Sequence, residues 1–211
     1  MTKSKRKPKT PIEERIFTAA RELFLRHGFE GVSVRKIAQR AGCSAGMLYH
    51  CFSNKELLLA RVVADTLRRL DATLAREAAR PGSPWERLGS VLRAYIEFGL
   101  EHPHEYAFLF AHPAPQMGRD VASVFETHGL SCFRRIRDLC QECLRLQQPG
   151  GDPGAPDELA QAVWASVHGL VHLLESAKGF PFVDRGRLIR RQVDLLLRGA
   201  GSGSEWRGGE K

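Results

Sequence analysis

Apolar residues recur along this chain every three to four positions, the period of a helix face. The first stripe is Ile16, Ala19, Ala20, Leu23 and Phe24. Thr10-Pro11-Ile12-Glu13 opens it, with Thr10 as N-cap, Pro11 at the first helical position and an acid at the third. Gly28 stops it. Val34, Ile37, Ala38 and Ala41 form the next stripe, capped by Ser33 and closed by Gly42. Ser44 caps a very short third helix that ends at His50 or Cys51. Ser53-Asn54-Lys55-Glu56 has the spacing of a capping box, with Phe52 and Leu57 placed as a hydrophobic staple. The helix it opens runs to about Arg80 through Leu58, Val62, Leu67, Leu70 and Leu74.

Pro81-Gly82 ends that helix. Ser83-Pro84-Trp85-Glu86 starts another through about Glu101, and His102-Pro103 breaks it. A shorter helix carries Tyr106, Phe108, Leu109 and Phe110, and Pro113 and Pro115 mark a loop. Residues 119–146 predict one long helix with Val121, Val124, Phe125, Ile136, Leu139 and Cys143 on its apolar face. QQPGGDPGAP, 147–156, is a loop. Asp157 caps a helix to about Ser176, GFPFV at 179–183 turns, and Asp184 or Gly186 begins a last helix ending near Arg198. The expected fold is all-α, about nine helices, without internal repeat. Residues 1–9 form a disordered basic arm, 10–56 a three-helix head, 57–198 a helical body and 199–211 a disordered tail. Ala41-Gly42-Cys43 joins two short helices in a helix-turn-helix, whose second helix is the element that enters a major groove.

Charge sharpens this division. Residues 1–60 hold 12 Lys and Arg against 5 Asp and Glu, and the rest of the chain holds 20 against 19. A basic excess confined to the head is the footprint of a polyanion partner. No apolar run reaches membrane-spanning length, and no apolar stretch follows the charged N-terminus as in a signal peptide. Five cysteines, an odd count, fit a reducing cytosol.

The head's candidate contacts follow from residue chemistry. Ser44, Ala45, Gly46 and Met47 are small or slender enough for close backbone approach to a groove. Ala45 and Met47 can touch thymine methyls, and Ser44 can donate to a phosphate or a base edge. Tyr49 carries a phenol suited to a phosphate, and His50 can reach the backbone. Ser33 caps a helix whose first amides can face a phosphate, while Arg35 and Lys36 in that first turn oppose the helix dipole unless an external anion is present. Lys55 stands in the same situation.

The string AARELFLRHGFEGVSVRKIAQRAGCSAGMLYHCFSNKELL resembles the DNA-binding head of TetR-family regulators. WASVHGL, 164–170, resembles the Trp-His-Gly signature in the body of one branch of that family, and EFGLEHPHEYAFLF, 97–110, resembles the body segment around its His-Pro break. The resemblance implies an all-helical homodimer whose third helix reads a palindromic operator in double-stranded DNA. It implies pairing through about 157–176 and 184–198, and release from DNA when a small effector enters the body. Most members are repressors, and a cytoplasmic, nucleoid-associated protein is expected. By position, Ser33, Ser44, Tyr49 and Lys55 would touch phosphates, and Arg35, Ala45, Gly46 and Met47 would face the groove. Cys51 departs from the pattern where members place a Tyr or His on the backbone; a thiol is a poor phosphate donor.

Tyr95, Phe98, His102, Tyr106, Phe110, Phe125, His128, Trp164 and His168 are the candidate effector residues, since an apolar cavity with a few polar atoms suits a small hydrophobic molecule. Two other readings remain open. One is a non-switching architectural DNA-binding protein. The other is a metal- or thiol-dependent redox sensor through Cys140 and Cys143. His128 and Cys143 lie about 22 Å apart on a helix rising ~1.5 Å per residue, too far to share one metal. No Gly-rich phosphate loop, HExxH or nucleophile elbow points to an enzyme, and no cofactor is expected.

Overall fold

The structure, a computed structural model, describes residues 11–110, 118–147, 149, 151–152 and 154–201. The arm, the Pro113 and Pro115 loop, Thr10 and residues 202–211 of the expected tail lie outside the described residues. The helices are α1 (Ile12–His27), α2 (Val34–Ala41), α3 (Ala45–Cys51), α4 (Lys55–Ala78), α5 (Pro84–Glu101), α6 (Pro103–Phe110), α7 (Arg119–Val124), α8 (Leu130–Gln147), α9 (Ala155–Ser176) and α10 (Arg185–Gly201). A π-helical turn, Phe125–Gly129, joins α7 to α8. No strand is formed among the described residues.

The described residues fall into two compact units that divide along the chain after Thr66, Ala107 and Glu126. In the first unit α1 packs on α2 and α2 on α3. Its core is Ile16, Ala20, Phe24, Val32, Ile37 and Leu48, each at most 2% exposed. In the second unit α5 packs against α8, α9 and α10, and α8 lies along α9. Leu74, Leu88, Leu92, Ile96, Ile136 and Val167 are at its centre.

Several helix ends differ from the sequence expectation, each for a local reason. Pro11 stands at the N-cap of α1 rather than one position inside it, and no side chain caps that end. At α4, Asn54 rather than Ser53 does the capping: its Oδ1 accepts from the Leu57 N–H at 2.7 Å. That one-residue shift puts polar Ser53 at N′, so Phe52 and Leu57 no longer hold the staple positions; Leu57 is 37% exposed and Leu58 is fully buried. α4 stops at Ala78, before Arg80. The single rod expected over 119–146 contains the π turn, which inserts extra backbone ahead of the helix-weak Gly129 and turns the apolar face. Val121, Cys132, Ile136, Leu139, Cys140 and Cys143 are buried, while Val124 and Phe125 are only half-buried. α9 starts at Ala155 because Pro156 suits the first turn, which places Asp157 inside the helix rather than at its cap. Asp184 caps α10 through the Arg187 N–H at 2.8 Å, and α10 continues through Gly199 to Gly201, residues expected in the tail.

Candidate functional site

The head's geometry begins with its caps. The Ser33 hydroxyl accepts from the Lys36 N–H at 3.3 Å, and the Ser44 hydroxyl accepts from the Met47 N–H at 3.1 Å. Each serine thereby fixes a helix start and still has its own proton to donate. Gly42 takes the left-handed conformation, φ 67° and ψ 45°, which turns the chain from α2 towards α3. Arg15 on α1 secures this turn by donating to the carbonyls of Ala41 and of Gly42, the latter at 3.1 Å. A cation at the C-terminal end of α2 also opposes its partial negative charge.

α3 then divides cleanly. Leu48 is fully buried. Ser44, Gly46, Met47, Tyr49 and His50 are exposed, Met47 by 43% and Tyr49 by 52%, while Ala45 is half-buried. A Cβ added at Gly46 would meet only the Ser44 hydroxyl, at 3.9 Å, so nothing inside the protein requires a glycine there. Arg35 and Lys36 are exposed in the first turn of α2.

Lys55 has a different placement. Its ammonium donates to the carbonyls of Phe29 at 2.8 Å and Val32 at 3.0 Å, and lies 3.8 Å from the centre of the Phe29 ring. It clasps the loop that leads into Ser33, so its effect on any phosphate at α2 includes holding that helix start. Neither Arg15 nor this clasp is visible in the sequence, because the partners are backbone carbonyls 23 to 27 residues away.

In the body unit, four of the nine effector candidates meet. The Trp164 Nε1–H donates to the Tyr95 hydroxyl at 3.0 Å, Tyr95 is 3.0 Å from the Tyr106 hydroxyl, and Tyr106 is 2.5 Å from Nδ1 of His168. Both tyrosines are buried. Burial pushes the Tyr95 phenol up to about 12 and raises Tyr106 further. Burial lowers the His168 imidazole below its ordinary value, with His172 adding to the effect.

Phe98 and His102 stack edge to face at 4.8 Å and border a separate cleft of about 700 Å³. That cleft is more ionic than the apolar lining expected: Arg69, Arg76, Arg80 and Arg93 share it with Glu77, Glu97 and Glu101. The signal was present in the sequence, since Arg69, Thr73, Arg76 and Arg80 on α4, and Ser90, Arg93, Glu97 and Glu101 on α5, recur at helical spacing. Phe110 is 39% exposed at the end of α6, and Phe125 and His128 are half-buried in the π turn. Phe110 and Phe125 fall in the first unit and the other seven in the second.

Cys140 and Cys143 are fully buried in the body core, and Cys132 nearly so. Burial pushes all three thiols up to about 12, against the lowered values of reactive cysteines. This favours packing over redox chemistry for the CxxC pair. No helix among the described residues is long and apolar enough to cross a membrane.

Residues 16–62 match the family model for the N-terminal region of bacterial regulatory proteins of the tetR family. Residues 88–196, just over half of the chain, match the model described as tetracyclin repressor-like, C-terminal domain. The HTH-type transcriptional repressor KstR of Mycolicibacterium smegmatis is 35% identical over 75 residues, 36% of this chain and 37% of that protein. KstR2 of the same organism, also an HTH-type transcriptional repressor, is 30% identical over 112 residues, 52% of this chain and 54% of its own. The chain thus spans about half or less of the curated relatives it matches. The structure of the fatty acid degradation regulator FadR from Bacillus halodurans superposes with a TM-score of 0.70 at 19% identity, over 90% of this chain and 97% of that one. At that identity the likeness establishes the fold alone.

Proposed function

Since the chain belongs to the tetR family of bacterial regulatory proteins, we propose that it is a sequence-specific DNA-binding transcriptional repressor and not an enzyme. The observation that carries this reading is α3: Leu48 anchors it in the head core while Ser44, Gly46, Met47, Tyr49 and His50 face outward. A short helix held from behind and bare in front is the geometry of a major-groove reader. Ser33, Ser44 and Tyr49 would hold phosphates, with Arg35 and Lys36 adding charge at the start of α2. Ala45, Gly46 and Met47 would lie nearest the base edges. Lys55 is assigned chiefly to positioning the α2 start. The head is taken as residues 10–56 and the effector-binding and dimerisation body as 57–198.

The working form is a homodimer on a palindromic operator. Exposed Leu173 on α9 and Leu195 on α10, with Ala162, Ala165 and Gly169 also exposed, support pairing through these two helices. The effector is a small, largely hydrophobic molecule taken up by the body. If it reaches the cleft beside Phe98 and His102, it also needs a polar portion to meet the arginines and glutamates there.

Selection of bound duplexes from a random DNA pool tests the reading. Enrichment of a two-fold symmetric motif is the expected result. Binding without enrichment would replace the regulator with an architectural DNA-binding protein, and no binding would refute both.

A further inference from the structure

The cleft between α4 and α5, all within the second unit, is electrically polarised along its length. Two contacts fix how its walls run. At one end the Arg87 guanidinium donates to the Ala78 carbonyl at 3.4 Å, where α4 stops and α5 has just begun. At the other end Arg69 pairs with Glu105. The two helices therefore run antiparallel, and residues early in α5 face residues late in α4. Arg76 and Arg80 on one wall and Arg93 on the other line the first end. Glu97 and Glu101 line the second. Between the ends lie Ala72, Ala94 and Phe98, the last two buried.

The charges at the two ends do not cancel locally. Glu77 accepts from Arg80 at 2.8 Å and from Arg76 at 3.2 Å, and these bonds hold its carboxyl below the usual carboxylate range. One carboxylate against three guanidiniums leaves two positive charges at the first end. Arg69 is matched by Glu105, so Glu97 and Glu101 leave two negative charges at the second. Arg93, Glu97 and Glu101 are exposed and make no ion pair among the described residues, although Arg93 and Glu97 stand one turn apart. Arg76 sits in the last turn of α4, where a cation meets the partial negative charge of the helix. α5 instead ends on Glu101 with no basic residue in its last turn, so an outside cation would relieve that end. Arg93 and Glu101 are separated by about 12 Å along a helix rising ~1.5 Å per residue. An ion of one sign suits one end and is repelled by the other, and a wholly apolar molecule matches neither.

We propose that this cleft is a dipolar binding site for an elongated amphoteric molecule. Its carboxylate lies among Arg76, Arg80 and Arg93, its methylene stem over Ala72, Ala94 and Phe98, and its ammonium at Glu97 and Glu101. This deepens, and rests on, the reading of the body as the part that takes up a small effector. It replaces a mainly hydrophobic ligand with one that carries opposite charges at its two ends.

The test titrates the full-length chain with three probes at low ionic strength, where surface charges are least screened, and follows the heat of binding. ω-Aminodecanoate carries both charges at about the required separation when extended. Decanoate lacks the ammonium, and decylamine lacks the carboxylate. ω-Aminodecanoate should bind roughly fivefold more tightly than either, the factor of about one well-formed surface ion pair. The double variant Glu97→Gln, Glu101→Gln should abolish its advantage over decanoate and keep its advantage over decylamine. Arg93→Gln should narrow the advantage over decylamine and keep that over decanoate. All three side chains are exposed, so these substitutions leave the fold intact. No heat with any probe, equal affinities for all three, or an advantage over decanoate that survives the glutamines would overturn the proposal. Release of operator DNA by the bound probe is measured separately. Charge-matched binding without release upholds the cleft as a site and counts only against the effector reading.

Discussion

The head and the body spend their polar groups in opposite ways. In the head, the serines close hydrogen bonds three residues along the chain, and the side chains offered to a partner stand in solvent. In the body, polar atoms reach partners 62 to 69 residues away and are largely withdrawn from water. The difference teaches where function can be read from spacing. The caps that shape the head's outward surface are local even though Arg15 and Lys55 brace it from a distance, whereas the buried network exists only once the whole packing is in place.

The largest effect should come from splitting α3 itself. Leu48→Ala empties a fully buried position and should cost about 2–5 kcal/mol in urea unfolding. Its neighbour Met47→Ala should change stability by less than about 0.5 kcal/mol yet alter which operators are bound. Equal stability losses at the two positions would erase the inside–outside division of the helix. In the body, Gly99→Ala forces a methyl against Val171 and Tyr106 and should cost about 1–3 kcal/mol, read in the same unfolding experiment. A neutral result would mean that the α5–α6–α9 junction is looser than the head.

Ser33→Ala removes the α2 cap and should cost about 1 kcal/mol. It should also weaken DNA binding, because the cap and the proposed phosphate contact would share one hydroxyl. Tyr49→Phe should leave folding unaltered and reduce affinity by about 1 kcal/mol, evenly across operator variants, because phosphate contacts position without specifying. Sequence-dependent losses in a binding titration would move Tyr49 into the groove. The smallest effect concerns Asp71, whose carboxyl is held below the usual range first by hydrogen bonds from Arg135, at 2.5 and 2.9 Å. Its contribution is present above about pH 4, the ordinary aspartate value, and is lost as pH falls through the lower folded-state value. Asp71→Asn should therefore flatten the acid end of the stability profile, and an unchanged acid end would show that the bridge contributes nothing.

The helix order and the helix-turn-helix were legible in the sequence because period, caps and breakers act within a few residues, and the family through the resemblance of the head and of 164–170 to known members. Ser33, Gly42, Ser44 and Ser83 sit where their chemistry demanded. Boundaries slipped where two neighbours could do one task, as with Ser53 and Asn54, or where a weak helix former let the backbone widen, as before Gly129. Only the tertiary packing brings Lys55 onto the loop ahead of Ser33, Arg15 onto the α2 to α3 turn, and Trp164, Tyr95, Tyr106 and His168 into one connected chain. Such pairings depend on which face of each helix is buried against which other, and that follows from the summed packing of the core rather than from any local spacing.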